Sequence, residues 1–216
     1  MSAGSNLDKL ARLNGTDKSG VHAYTQHYQT HFGPIRKQRL NLLEIGIGGY
    51  DNPRGGGGSL RTWKSFFPRG MIFGIDIHDK SYHDEKRIRT FTGSQVDETF
   101  LRGVVREIGD LDIVVDDGSH INEHVIQTFR LLFPMLKPGG FYVVEDTQTS
   151  YWREYGGDEG VRPPGDHTAM GFFKGLVDGL NVEEFRIEDY EASSFDTSIH
   201  GMHFYHNLIF IEKRSG

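Results

Sequence analysis

No cysteine occurs in the 216 residues, which excludes disulfide frameworks, zinc ribbons, iron–sulfur clusters and a cysteine nucleophile. No apolar run approaches the ~18 residues that span a bilayer, and no signal peptide opens the chain. A soluble, cytoplasmic protein is therefore expected. Positive charge is also short: 24 Lys and Arg against 30 Asp and Glu leave a net charge of −6. Neither DNA nor an anionic membrane would attract such a chain over distance, so no nucleic-acid or membrane partner is expected. What is present suffices for a core. Hydrophobic residues make up 36% and aromatics 12%, enough to argue against global disorder. The length fits one domain over residues 1–216.

Glycine is in excess. The chain has 28, where a usual share of ~7% would give about half as many. They cluster, most densely between Gly46 and Gly58, and show no repeat period. Four short apolar runs rich in β-branched and aromatic residues read as buried strands: Asn41–Ile45, Met71–Ile77, Leu111–Asp117 and Phe141–Asp146. Helical patterns separate them. Ser59 is placed to cap Leu60–Phe67 before Pro68, Asp97 opens a helix to Gly109, and Asn122–Leu136 has helical spacing. Strands alternating with helices in this way imply βαβ units and a mostly parallel sheet. Tyr151–His167 has glycines, two prolines and charges without periodicity, and reads as a long functional loop. A helix is expected over Met170–Leu180. Ile199–Tyr205 and Leu208–Lys213 then flank His206-Asn207 as a hairpin. A terminal antiparallel hairpin on a parallel sheet points to an α/β, Rossmann-like class I methyltransferase fold with seven strands.

The segment Glu44-Ile45-Gly46-Ile47-Gly48-Gly49 closes the first strand. Glycines there permit positive φ and close approach of a ligand. A nicotinamide fingerprint would need a third glycine where Asp51 stands, and no Gly-Lys-Ser/Thr phosphate loop exists. The remaining pattern, acidic-x-Gly-x-Gly, suits a compact cofactor without phosphate. Asp76 at the tip of the second strand is placed to accept ribose hydroxyls. A plain tight turn would use the same glycines, but the acid and the hairpin favour S-adenosylmethionine.

Two further strands end in acids: Asp116-Asp117-Gly118-Ser119-His120 and Glu145-Asp146. Strand tips of an open parallel sheet converge on the ligand crevice. Carboxylates gathered there repel unless a cation neutralises them. Oxygen ligands without cysteine select Mg²⁺ or Ca²⁺, with Mg²⁺ or Mn²⁺ favoured where waters and substrate complete the shell. Asp117, Glu145 and Asp146 are the candidate ligands. His120, three residues beyond Asp117, is placed as general base. Helix capping by the acids and a solvated histidine are the alternatives. His27 and His31 lack the glutamate of a HExxH zinc site, since Tyr28 follows His27.

Together LEIGIGGYDNP, GGGSLRTWKSFFPRG, GIDIHDKS, DDGSHINEHVIQTF and VEDTQTSYW resemble the metal-dependent sugar O-methyltransferases of macrolide tailoring, of the mycinamicin type. The likeness covers about residues 14–152 and, loosely, the hairpin. It implies Mg²⁺ on Asp117, Glu145 and Asp146, His120 as base, and a glycoside acceptor. It further implies cofactor contacts from Glu44, Gly46, Gly48, Asp76, Ile77, Gln95 and Asp116. Residues 1–38 resemble a helical segment covering the cofactor, with Thr16, Tyr24 and Tyr28 against it. A member of that family carries an additional N-terminal domain, expected to be absent here, and a homo-oligomer is a possible assembly. The loop 151–167 has no counterpart in the resemblance and is the candidate acceptor lid. Rival readings are a catechol-type O-methyltransferase, a non-catalytic S-adenosylmethionine-binding module and a metal-dependent hydrolase.

Overall fold

The computed structural model describes residues 6–215. The chain divides into two compact units, Met1–Gly109 and Asp110–Gly216.

The first unit begins with α1 (Asn6–Asn14) and α2 (Thr25–Phe32), followed by β1 (Asn41–Ile45), α3 (Gly58–Phe66), β2 (Met71–Asp76), β3 (Ile88–Thr92) and α4 (Glu98–Ile108). β1 pairs parallel with β2, Leu43 opposite Phe73, and β2 pairs parallel with β3. β1 and the middle of β2 are buried, as expected for strands covered on both faces. α3 buries Leu60, Trp63 and Phe66, one helical face. Asp97 caps α4 as expected, accepting from the Phe100 amide at 3.0 Å. Ser59 does not cap α3. It lies inside the helix, after Gly57 at φ +71°, and its hydroxyl goes to Glu44 instead.

The second unit contains β4 (Leu111–Asp116), α5 (Asn122–Leu132), β5 (Leu136–Glu145), α6 (Ala169–Gly175), α7 (Ser194–Ser198), β6 (Ile199–Tyr205) and β7 (Leu208–Lys213). β4 and β5 are parallel, whereas β7 runs antiparallel to both β5 and β6. The hairpin occupies the expected residues, with Asn207 at φ +59° in its turn. Three boundaries differ from expectation. α5 stops at Leu132, because Pro134 lacks the amide a longer helix would use, and a 3₁₀ turn follows over Phe133–Met135. β5 starts at Leu136, five residues earlier than the apolar run implied. The helix after residue 168 ends at Gly175 and gives way to a 3₁₀ stretch, Asp178–Glu184.

The strand order β3-β2-β1-β4-β5-β7-β6 defines a seven-stranded, mostly parallel sheet with an antiparallel end. Among the described residues, no helix is long and apolar enough to cross a membrane.

Candidate functional site

In the first unit the chemistry gathers where β1 and β2 end. Gly46 and Gly48 sit at φ +87° and +79°, a region costly for any residue with a Cβ. A Cβ on Gly56 would stand 2.3 Å from the Ile47 and Gly48 carbonyl oxygens, so the glycine run closes back on the turn after β1. Asp76 holds this turn. Its Oδ2 accepts from the Ile47 amide at 3.0 Å and its Oδ1 from the His78 amide at 2.9 Å. A carboxylate has about four acceptor positions, so each oxygen keeps capacity for a ligand hydroxyl. Ile77, next along the chain, is 63% exposed, an apolar face at the strand tip. Gln95 is buried.

Glu44 is fully buried. Its Oε2 accepts from Ser59 Oγ at 2.7 Å, and its Oε1 stands 3.3 Å from Lys18 Nζ, which is equally buried. Lys18 thus ties the segment between α1 and α2 to the end of β1. In sequence Thr16-Asp17-Lys18 resembles part of the cofactor-covering segment, but its pairing with Glu44 is not written there, since a lysine ordinarily reads as a solvated surface residue. Thr16, two residues earlier, is half-buried and accepts from the Lys18 amide at 3.4 Å. Tyr24 and Tyr28 are both buried. Tyr28 lies against Trp63 and Phe32, with ring centroids 4.9 and 5.2 Å away, and Tyr24 stacks on His22. The glycine-rich excursion after Gly49 is anchored from beyond β2. Buried Lys80 donates to the Tyr50 and Asn52 carbonyls at 2.6 and 2.8 Å, and a His83 nitrogen lies 3.0 Å from the Gly55 oxygen.

In the second unit Asp117, His120 and Asp146 converge: one ligand atom from each lies within 4.8 Å of the other two. β4 ends at Asp116 and β5 at Glu145, so Asp117 and Asp146 are the first residues past the strand tips. His120 and Asp146 hold φ +57° and +53° without being glycine. His120 Nε2 lies 3.7 Å from Asp146 Oδ2. Glu145, expected as a third ligand, is buried and lies outside this group. Asp116 is buried and accepts from the Tyr142 hydroxyl at 3.1 Å. Burial, and then the Asp116 charge, push the Tyr142 phenol well above its ordinary pKa and keep it a donor.

The residues fit a divalent cation. Ligands of Mg²⁺ at ~2.1 Å stand about 3.0 Å apart when adjacent and about 4.2 Å apart when opposite, and the 3.7 Å between His120 Nε2 and Asp146 Oδ2 falls between the two. The Thr147 hydroxyl and the Gln148 carbonyl oxygen, directly after Asp146, are buried without a hydrogen-bond partner among the described residues. Such oxygens suit the bound waters or substrate hydroxyls of a hard cation.

Asn122 organises what surrounds this group. It is fully buried at the start of α5, as the first residue of the helix. Its amide donates to the Thr149 and Tyr155 carbonyls at 3.0 and 2.9 Å, and its oxygen accepts from Ser150 Oγ at 3.1 Å and the Ala169 amide at 2.7 Å. One side chain therefore joins the turn after His120, the segment after Asp146 and the start of α6. The loop expected over 151–167 is partly ordered by 3₁₀ turns at Thr147–Tyr151 and Arg153–Tyr155.

No protein-family model matches the chain. Among curated proteins it is 48% identical, over 97% of its length, to 8-demethyl-8-alpha-L-rhamnosyl tetracenomycin-C 2'-O-methyltransferase of Streptomyces olivaceus. It is 47% identical, over 96% of its length, to mycinamicin VI 2''-O-methyltransferase of Micromonospora griseorubida. The chain spans about half of each of these relatives, 55% and 52%. Among solved structures, MycE methyltransferase from the mycinamycin biosynthetic pathway, in complex with Mg and SAH, matches 99% of the chain at 46% identity and a TM-score of 0.93, with 56% of that chain covered. Another crystal of that enzyme holds Mg, SAH and mycinamycin VI and matches with a TM-score of 0.92.

Proposed function

Because the chain belongs by homology with the sugar O-methyltransferases of macrolide and tetracenomycin tailoring, we propose that it methylates a deoxysugar hydroxyl on a glycosylated natural product. The observation that carries this reading is the meeting of Asp117, His120 and Asp146 just past two strand tips. The donor is S-adenosylmethionine: its methyl carbon bonds to the sugar oxygen as its bond to sulfur breaks, leaving S-adenosylhomocysteine. Asp76 accepts from the ribose of the donor, and Gly46 and Gly48 let the backbone approach it. Ile77 and Gln95 line the donor, while α1, α2 and the segment between them cover it through Thr16, Tyr24 and Tyr28, with the Lys18–Glu44 pair as fastening. Asp117 and Asp146, with Glu145 beside them, would hold Mg²⁺, a Lewis acid that makes a neighbouring hydroxyl more acidic. His120 Nε2 removes the hydroxyl proton, and the Asp146 carboxylate at 3.7 Å stabilises the imidazolium formed. The loop 151–167 covers the acceptor and excludes water, which competes as nucleophile.

A second reading has its own observation. His120 belongs to the three-membered group that could share a cation, whereas Glu145 does not. In that reading His120 is a ligand and the proton leaves by another route.

The function is tested with methyl-labelled S-adenosylmethionine, an α-L-rhamnoside and a catechol as parallel acceptors, with products located by mass spectrometry. The proposal expects the label on a sugar oxygen. Label on the catechol alone would replace it with the phenolic reading.

A further inference from the structure

Beside the loop that follows the strained Asp146 lies a cleft of about 460 Å³, within the ~300–1,000 Å³ usual for small-molecule sites. Tyr151, Val161, Pro163 and Pro164 give it apolar walls, and Arg162 and Lys174 bring two cations to it. The side chains of both cations are without a hydrogen-bond or ion-pair partner among the described residues. Asp158 also lines the cleft, and both of its oxygens have partners within the loop. One oxygen lies 3.2 Å from His167 Nε2, and the other accepts from the Gly165 amide at 2.7 Å. The chain as a whole carries −6, so a cleft lined by two cations and one carboxylate runs against the global charge.

Position along the chain gives the cleft a scale. Tyr151 ends the five-residue 3₁₀ turn that starts directly after Asp146. At a rise of ~2 Å per residue, the backbone of Tyr151 lies about 10 Å along the turn from that of Asp146. The wall is also held in place: Ser150 Oγ accepts from the Met170 amide at 2.9 Å and donates to Asn122.

Resting on the acceptor reading above, we propose that this cleft is a subsite for an anionic group of the acceptor, a carboxylate or phosphate carried about 10 Å from the reacting hydroxyl. Tyr151 and the two prolines take the apolar body that bears it, and Arg162 and Lys174 pair with the charge.

The test compares three rhamnosides by calorimetric titration, which reads binding whether or not turnover occurs: the p-carboxyphenyl glycoside, its methyl ester, and a nucleoside-diphosphate rhamnose. The carboxylate is expected to bind about fivefold to tenfold more tightly than the ester, as two partly exposed ion pairs allow. The Arg162→Gln/Lys174→Gln variant should erase that preference and leave ester affinity unchanged. Tighter binding of the sugar nucleotide than of the carboxyphenyl glycoside would assign the anion to a diphosphate; the reverse order would assign it to a carboxylated aglycone. Equal affinity for acid and ester in the unaltered protein overturns the subsite, as does a preference that survives the double substitution. Discriminating binding without label transfer in the methylation assay would keep the subsite and reject the methyl-transfer reading instead.

Discussion

His120 and Asp146 both occupy the left-handed region with a Cβ present, at a cost of roughly 1–3 kcal/mol each. Two such residues in one three-membered group are strain stored where ligand geometry matters. The two readings of His120 separate by a single substitution. His120→Ala should abolish turnover, leave affinity for S-adenosylhomocysteine intact, and leave Mn²⁺ affinity within about twofold if the residue is a base. Loss of Mn²⁺ binding together with turnover would make it a ligand. At this scale the sequence was informative wherever a residue sat at a strand tip: Asp76, Asp117 and Asp146 were identifiable from the apolar runs they terminate. Lys18 and Asn122 were not. A buried lysine is recognised only by its partner Glu44, and an asparagine opening a helix looks the same whether it faces solvent or joins three segments. Ser59 misled for a related reason. Ser before an apolar run is a capping signal, but the glycines ahead of it start α3 two residues earlier and free its hydroxyl for Glu44.

Among the elements, the buried strands and the hairpin were legible because their apolar runs are bounded by glycine, proline or acids. β3 was not, since Ile88 alone of its five residues is buried and an edge strand shows little pattern. The short α7 was also missed, and capping explains why it forms. Ser193 and Asp196 make a reciprocal capping box, and Asp196 further accepts from the Tyr190 hydroxyl at 2.9 Å. Burial pushes the Asp196 carboxyl up, yet the Ser193 amide and hydroxyl and the Tyr190 hydroxyl outweigh it and hold the pKa below its usual value. A carboxyl depressed in the folded state stabilises above its unfolded pKa of ~3.9 and loses that contribution as pH falls through the folded value. Asp196→Asn should therefore lower stability by about 1 kcal/mol at pH 7. The difference from the unaltered protein should shrink by pH 3 in urea unfolding, and an equal difference at both pH values would contradict this role.

For the molecule as a whole, the strand order is β3-β2-β1-β4-β5-β7-β6, with Asp76 at the tip of β2 and Asp117 and Asp146 just past the tips of β4 and β5. The alternation of strands and helices made this architecture readable before any coordinates. The loop 151–167 was not readable, because its 3₁₀ turns depend on Asn122 and Ser150 from outside it. The chain spans about half the length of the curated relatives it matches, yet Asp117, His120 and Asp146 all lie within it. The central claim is that these strand tips hold one divalent cation, and Mn²⁺ titration followed by electron paramagnetic resonance tests it most directly. One bound ion per chain is expected, displaced by Mg²⁺ and lost in the Asp117→Asn/Asp146→Asn variant. A chain that binds no Mn²⁺, or binds it equally well after both substitutions, would contradict the account.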